Sequence, residues 1–357
     1  MTTFTTISTL QLNLQSRKLV SDITARVADA TQEISTGYRK NVYDDLGARA
    51  AQTLDFRNRM DRTEDFVTLN AVLAGKLEMM EDALTGVRDS VQEFLNVAVG
   101  SATSPNQLAR ELQNQAKATL NFVMAGLNAA YGGEYLFAGV ATDVKPLQDV
   151  WTVNPATGNA PMDVVTGITG AGPVSAADAA GRIAALDAVF ASAAADPLTD
   201  FEATFYNGTD ALTAGVPNPR ATAQIDDETR MDYGMQANDP AMRDVLKGLM
   251  MFAATDVTQI ADPAAYAAWA GAAVEAIASG LQGLDEARVA VGSDRKLIET
   301  TMARQSARMD IYNMRIVTLE TADPYETAAR LQAFQVQLEA TYAATARVGR
   351  MSFLSYL

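Results

Sequence analysis

Residues 73–94 read LAGKLEMMEDALTGVRDSVQEF, and a single apolar stripe runs through them: Leu73, Leu77, Met80, Leu84, Val87, Val91 and Phe94. The steps are 4-3-4-3-4-3, the spacing of a coiled-coil seam, which returns an apolar side chain to one helix face every three or four residues. A second stripe with the same steps lies far along the chain, at Ile298, Met302, Gln305, Met309, Tyr312, Ile316 and Leu319. Two long helices with such seams must bury them against other helices, so the pattern predicts a bundle.

Working outward, each long seam is flanked by a break and then by a terminal helix. At the start, Ile7, Leu10 and Leu14, then Ile23, Val27, Ala30 and Ile34, form one stripe, shifted once near Arg17 and Lys18. It stops at Ser35-Thr36-Gly37; residues 37 to about 47 read as a loop, and helix resumes near Ala48. At the other end the seam breaks at Thr321-Ala322-Asp323. Asp323-Pro324-Tyr325-Glu326 then has the pattern of a capping box, with proline at the first helical position. The last helix places Leu331, Gln335, Leu338, Tyr342 and Thr345 on one face, and the chain ends Leu354-Ser355-Tyr356-Leu357. The two breaks lie almost symmetrically, which predicts that the chain ends run as an antiparallel pair.

The middle differs. Ser104-Pro105-Asn106-Gln107 reads as a helix start, and that helix is predicted to run to Tyr131 and end at Gly132-Gly133. Short strands are predicted at Tyr135–Ala138, Trp151–Val153, Phe201–Tyr206 and Ala221–Ile225, with one helix near Ala176–Ala194. Asp239-Pro240 and Asp262-Pro263 each supply an N-cap and a permitted proline, so helix returns there, weakened by Gly271, Gly280, Gly283 and Gly292.

The predicted fold class is therefore mainly α: a long antiparallel coiled-coil or helical-bundle rod formed by both chain ends, with a small mixed α/β inserted domain. Residues 1–46 and 322–357 form a terminal coiled-coil domain, 47–135 and 237–321 a helical rod domain, and 136–236 an inserted outer α/β domain. The inner helices have several partners. The terminal ones have only each other, and a lone pair of short helices is marginal in water. Their stripes are expected to be solvated in one chain and buried between copies, and the insertion to be peripheral.

Composition narrows function. The 357 residues carry 28 Lys and Arg against 43 Asp and Glu, a net charge of −15. Such a surface repels phosphate backbones and anionic lipid, so neither nucleic acid nor membrane is an expected partner. With no Cys and no His, the chain lacks disulfides, thiolate nucleophiles, Cys-type zinc sites and the usual general base near neutral pH. No carboxylate cluster has EF-hand spacing and no glycine-rich run forms a phosphate loop; no catalytic, cofactor or metal residue is expected. Asn207-Gly208-Thr209 matches a glycosylation sequon, but Asn-Gly between strands reads first as a hairpin turn. The start has no basic segment followed by an apolar one, so no cleaved signal peptide is expected.

Several segments carry a resemblance to a known family. Glu33-Ile34-Ser35-Thr36-Gly37-Tyr38-Arg39-Lys40 with Asp44-Asp45, Gly133-Glu134-Tyr135-Leu136-Phe137-Ala138-Gly139, Leu319–Ala328, Leu338-Glu339-Ala340-Thr341-Tyr342 and Ser352–Leu357 together resemble the flagellin superfamily, in particular its hook–filament junction branch, the third hook-associated proteins. Leu46 and Gly47 stand where that family usually has a proline and its neighbour. The resemblance covers roughly residues 1–145 and 285–357. It implies a structural, non-enzymatic subunit of the extracellular bacterial flagellum, exported by the flagellar type III apparatus without a cleaved signal. Implied partners are other copies of itself, the first hook-associated protein, flagellin and an export chaperone. The terminal stripes, namely Ile7, Leu10, Leu14, Ile23, Val27, Ile34, Leu331, Leu338, Tyr342, Leu354 and Leu357, are the expected assembly interface. A filament flagellin is the runner-up, and a secreted coiled-coil binder with its site in the insertion is a more distant alternative.

Overall fold

The computed structural model describes the backbone of residues 9–101 and 109–354, with side chains at 11, 14–101 and 110–347. The predicted helix start at Ser104-Pro105 lies outside the described residues. Helix α1 spans Thr9–Thr36, α2 Val42–Leu46, α3 Ala50–Ser101 and α4 Ala109–Leu127. Strands β1 (Ala130–Tyr131) and β2 (Glu134–Tyr135) pair as a hairpin, followed by α5 (Pro161–Thr169) and α6 (Ala176–Phe190). Two further hairpins follow, β3 (Leu212–Thr213) with β4 (Val216–Pro217), and β5 (Thr222–Asp226) with β6 (Thr229–Asp232). Helices α7 (Pro240–Ala254), α8 (Pro263–Glu320) and α9 (Pro324–Leu354) complete the chain. The chain is thus mainly α, with long helices toward both ends and a small strand-containing insert, as the periodicity predicts.

Two compact units emerge: Met1–Asp65 with Gln305–Leu357, and Phe66–Arg304. We call them unit 1 and unit 2. Helices α3 and α8 contribute residues to both.

Unit 2 holds the large core. Every member of the 73–94 stripe is buried, and the cluster continues through Leu112, Leu120 and Leu127 of α4, Leu246 and Leu249 of α7, and Trp269 and Ile277 of α8. Phe94 meets Phe252 edge-on at 5.6 Å between ring centroids, a favoured aromatic geometry. Helices α7 and α8 approach closely because glycines face the contact. A Cβ on Gly280 would lie 2.5 Å from Val245 Cγ2 and 2.7 Å from the Val245 amide nitrogen. Gly280 and Gly283, two of the glycines that weaken the helical pattern in the sequence, therefore serve packing, and α8 runs through all four unbroken.

The insert departs from its sequence pattern at several points. Phe201–Tyr206 alternates like a strand, but Phe201–Phe205 forms one π turn, closed by Tyr206 N–H donating to Phe201 C=O at 3.1 Å. The turn stacks the Phe201 and Phe205 rings 5.3 Å apart, and both also pack on Phe190. A strand would space those rings along its length, so burial of the pair overrides local propensity. Trp151–Val153 forms no strand. Instead the buried Asn154 amide donates to Ala203 and Thr204 carbonyls and fixes the loop around it. Asn207 is not at a hairpin turn: its amide donates to Lys145 C=O, and its side-chain oxygen accepts from Asn154. Gly132-Gly133 does not cap a helix; with φ of +60° and +90° it makes the two-residue turn of the β1–β2 hairpin. The β5–β6 hairpin and α6 follow the sequence expectation, the latter capped by Ser175 accepting from Asp178 N–H.

Nor is the insert peripheral. Met162 and Val165 of α5, Leu186 and Phe190 of α6, and Phe201, Phe205 and Ile225 lie in the same continuous buried cluster as α4 and α7. Helices α5 and α6 both pack on α7.

Candidate assembly surface

Unit 1 is built on the two breaks. Gly37, at φ +76°, ends α1, and the chain then runs antiparallel to the segment after α8. Arg39 N–H donates to Glu320 C=O at 2.8 Å, Ala322 N–H donates to Gly37 C=O at 2.9 Å, and Tyr38 bridges Thr321. The two breaks, symmetric in sequence, are thus hydrogen-bonded to one another. Arg57 on α3 clasps both carboxylate oxygens of Glu320, at 2.7 and 2.8 Å. Those bonds hold its guanidinium above its ordinary pKa. Asp323 caps α9, its Oδ1 accepting from Tyr325 N–H at 2.8 Å. The stretch predicted as loop contains α2, which Gly47 terminates at φ +52°.

From that anchor α1 and α9 run as an antiparallel pair. Arg330 Nη2 donates to Glu33 Oε2 at 3.0 Å, and Lys40 N–H donates to Glu33 Oε1 at 3.1 Å. The Glu33 side chain is buried, so these bonds satisfy a carboxylate withdrawn from water. Farther along, Arg26 lies over the Phe334 ring, 5.9 Å from its centroid. Those two contacts fix the antiparallel register of the pair. On α1 the inward face is Val20, Ile23, Val27 and Ala30; on α9 it is Thr327, Leu331, Phe334, Leu338, Thr341 and Thr345.

The terminal stripe residues sort into three groups. Ile23 is buried, and Val27, Leu331 and Leu338 are half-buried, all within one chain. The expectation that they are solvated in the single chain is overturned, because each terminal helix gives the other's stripe a partner. Leu14, Ile34 and Tyr342 are exposed. Ile7, Leu10, Leu354 and Leu357 lie outside the residues whose side chains are described. On α9 the inward face passes through Phe334 and Thr341 rather than Gln335 and Tyr342. The inward face is rotated slightly from the one the periodicity marks, and the alanines Ala328, Ala329, Ala333, Ala340, Ala343, Ala344 and Ala346 lie exposed away from it.

A second face of α9 has no partner among the described residues. Tyr325, Ala329, Val336, Ala340 and Ala343 share it, with Tyr325 87% and Val336 59% exposed. An apolar helix on both sides is the pattern of a helix meant to be covered on both sides.

Other candidate sites carry less. An open groove of about 780 Å³ in unit 2 is lined by charged side chains, but those charges engage one another. Lys247 pairs with Asp187 at 2.8 Å, Arg243 with Glu202 at 2.5 Å, and Arg220 with Asp239. Burial beside Glu202 raises the Asp210 carboxyl above its ordinary pKa. Among the described residues no group of His, Cys, Asp or Glu is placed to hold a metal ion, and no helix is long and apolar enough to cross a membrane.

Comparison with known proteins bears on these ends directly. Residues 7–142 match the family model described as the bacterial flagellin N-terminal helical region, and residues 274–357 match that of the bacterial flagellin C-terminal helical region. A solved structure described provisionally as a flagellar hook-associated protein from Vibrio parahaemolyticus has a similar fold. It is 13% identical, with a TM-score of 0.50, covering 77% of this chain and 98% of that one. None of the curated proteins matches the sequence. With both ends matched in order, the chain belongs to the flagellin superfamily and is a structural subunit of the bacterial flagellum.

Proposed function

We propose that this subunit forms the adapter layer between hook and filament, binding the first hook-associated protein on one side and flagellin on the other. The observation that carries an assembly role is the terminal pair: α1 and α9 satisfy only their inner seam and leave Tyr325, Val336, Tyr342 and Leu14 facing outward. Support for the junction position comes from Tyr135-Leu136-Phe137-Ala138-Gly139 and the Ser355-Tyr356-Leu357 ending, which resemble that branch. The hook-associated description of the Vibrio structure agrees with it. Ile7, Leu10, Leu14, Ile23, Val27, Ile34, Leu331, Leu338, Tyr342, Leu354 and Leu357 belong to the proposed assembly region. Ile23, Val27, Leu331 and Leu338 act by holding the pair together. The role is mechanical rather than catalytic, and it implies export without a cleaved signal, aided by a chaperone. The runner-up is a filament flagellin, which the two flagellin models favour.

Deleting the gene decides between them. A junction adapter leaves hooks without filaments and flagellin monomers in the medium, and the protein is a minor component of sheared flagella. If the chain is instead the dominant mass of sheared filaments, it is the filament subunit. Normal filaments on the deletion strain overturn both.

A further inference from the structure

Asn207-Gly208 is the one Asn-Gly pair in the 357 residues. Such a pair is chemically labile in any flexible peptide. Glycine has no Cβ to hinder its backbone nitrogen, so that nitrogen can reach the Asn carboxamide carbon. Here the pair is half-buried inside unit 2 and tied down by its neighbours. Asn207 N–H donates to Pro146 C=O at 2.8 Å, and Thr209 N–H donates to Ala138 C=O at 3.0 Å. Thr209 Oγ1 in turn accepts from the Val140 and Ala141 amides. The carboxamide is held at both ends. Its Oδ1 accepts from Asn154 at 3.3 Å, and its Nδ2 donates to Lys145 C=O at 3.4 Å and to Gln148 Oε1 at 3.5 Å. Gly208 itself is wedged: a Cβ there would lie 2.4 Å from Tyr206 Oη and 2.6 Å from the Ala138 carbonyl oxygen.

We infer that Asn207 is a deamidation site that the folded insert holds shut and that opening of the insert exposes. The Gly208 nitrogen gives up its proton and bonds to Asn207 Cγ, and Nδ2 leaves as ammonia, closing a cyclic imide. Water then opens either imide carbonyl, giving aspartate or isoaspartate; water is the only co-reactant. Ring closure requires the carboxamide to leave Asn154 and Lys145, and the backbone at 207–208 to turn against Pro146, Ala138 and Tyr206. The reaction therefore runs in molecules whose segment has opened. The product does not regain the native contacts. Aspartate sets a carboxylate oxygen against Lys145 C=O and Gln148 Oε1, acceptor against acceptor. Turning Gln148 over would break its own bond to Thr152 C=O, at 3.3 Å. Isoaspartate also lengthens the backbone between the bonded amides of Asn207 and Thr209. Deamidation thus fixes an opening that was reversible, and Asn207 keeps a one-way record of it.

The test is peptide mapping by mass spectrometry on the full chain, incubated in mildly alkaline buffer with and without guanidinium chloride. Asn207 is expected to convert in the denatured chain and at least about tenfold more slowly in the native one, the protection given when fewer than about one molecule in ten is open. This comparison needs no variant to fold. Asn154→Ala, which frees Asn207 Oδ1, should speed conversion without denaturant. Asn207→Asp, made outright, should lower the melting temperature of unit 2 and quicken hydrogen exchange at Asn207 and Thr209. Equal rates with and without denaturant overturn the shielding. An Asn207 that stays intact in the denatured chain overturns the site. An Asn207→Asp chain that melts and exchanges like wild type overturns the one-way step.

Discussion

Unit 2 and unit 1 are built from the same kind of long helix, yet they bury very different interiors. In unit 2, Trp269, Tyr266, Phe94, Phe252, Leu77 and Leu84 are all but fully enclosed, in one cluster that joins α3, α4, α7 and α8 to the insert. In unit 1 the buried apolar residues among those described are Ile23, Ala30, Ala50, Ile316 and Ala322, accompanied by the polar Glu33, Thr53, Thr63, Gln305 and Thr327. Small and polar side chains dominate the second set. Apolar burial is the main favourable term in folding, so unit 2 has its own supply and unit 1 does not. Unit 1 is held by directed contacts instead: the Arg330–Glu33 pair, the Arg57–Glu320 clasp and the bonded breaks. Its spare apolar surface includes the outside of α9, along with exposed Leu14 and Leu19 of α1 and Ile311 and Met314 of α8. A unit that completes its core only when other copies cover it can fold and assemble in one step.

The contrast can be broken most forcefully in unit 2. Removing residues 147–232 uncovers the side of α7 that packs on α5 and α6, so the remaining chain should lose its cooperative melt, read by far-UV circular dichroism. A melt like that of the full chain would show that the insert is an appendage. Next in size, Phe94→Ala should cost about 3–5 kcal/mol of unit 2 stability in denaturant unfolding, because it empties a fully enclosed site against Phe252.

In unit 1 the effects on the isolated chain are smaller. Arg330→Met leaves the buried Glu33 carboxylate with only the Lys40 N–H, and should lower the local stability of the α1–α9 pair by about 1–3 kcal/mol. Hydrogen exchange should then quicken in α1 and α9 while unit 2 amides keep their rates; quickening in both units together would deny the two-unit contrast. Val336→Asp should shift the monomer's unfolding by less than about 0.5 kcal/mol, because the side chain is exposed, and yet abolish filament growth in cells. Filaments growing normally on that variant would remove the outer face of α9 from the assembly.

The smallest effect concerns pH. Val174 N–H bonds the Asp178 carboxylate and, with Arg182, holds its pKa below the ordinary 3.8. A carboxylate depressed by folding stabilises the native state above its unfolded pKa, and that contribution is lost as pH falls through the folded value. Asp178→Asn should therefore lower the melting temperature of unit 2 slightly near neutral pH, and the gap from wild type should close below about pH 3.8. A gap that persists in strong acid would assign the effect to packing rather than to charge.

Local pattern settled a good deal of this. The seams at 73–94 and 298–319 needed only the spacing of their apolar residues, and each runs inside one helix with its stripe buried or half-buried. The Asp323 cap was also legible, because a cap depends on neighbours within three residues. The resemblance of both ends to flagellins was likewise written in short segments. The tertiary structure decided what depends on residues far apart in the chain. It bonded the break at Gly37 to the one at Ala322, and it paired Glu33 with Arg330, 297 positions away. It turned Phe334 inward in place of Gln335 on an alanine-rich helix, and it coiled Phe201–Phe205 into a π turn to stack two rings on Phe190. Periodicity records that a face is apolar, but a face with several apolar choices, or a short run that can alternate or coil, is settled by the partner that covers it. That partner arrives only when the chain has folded.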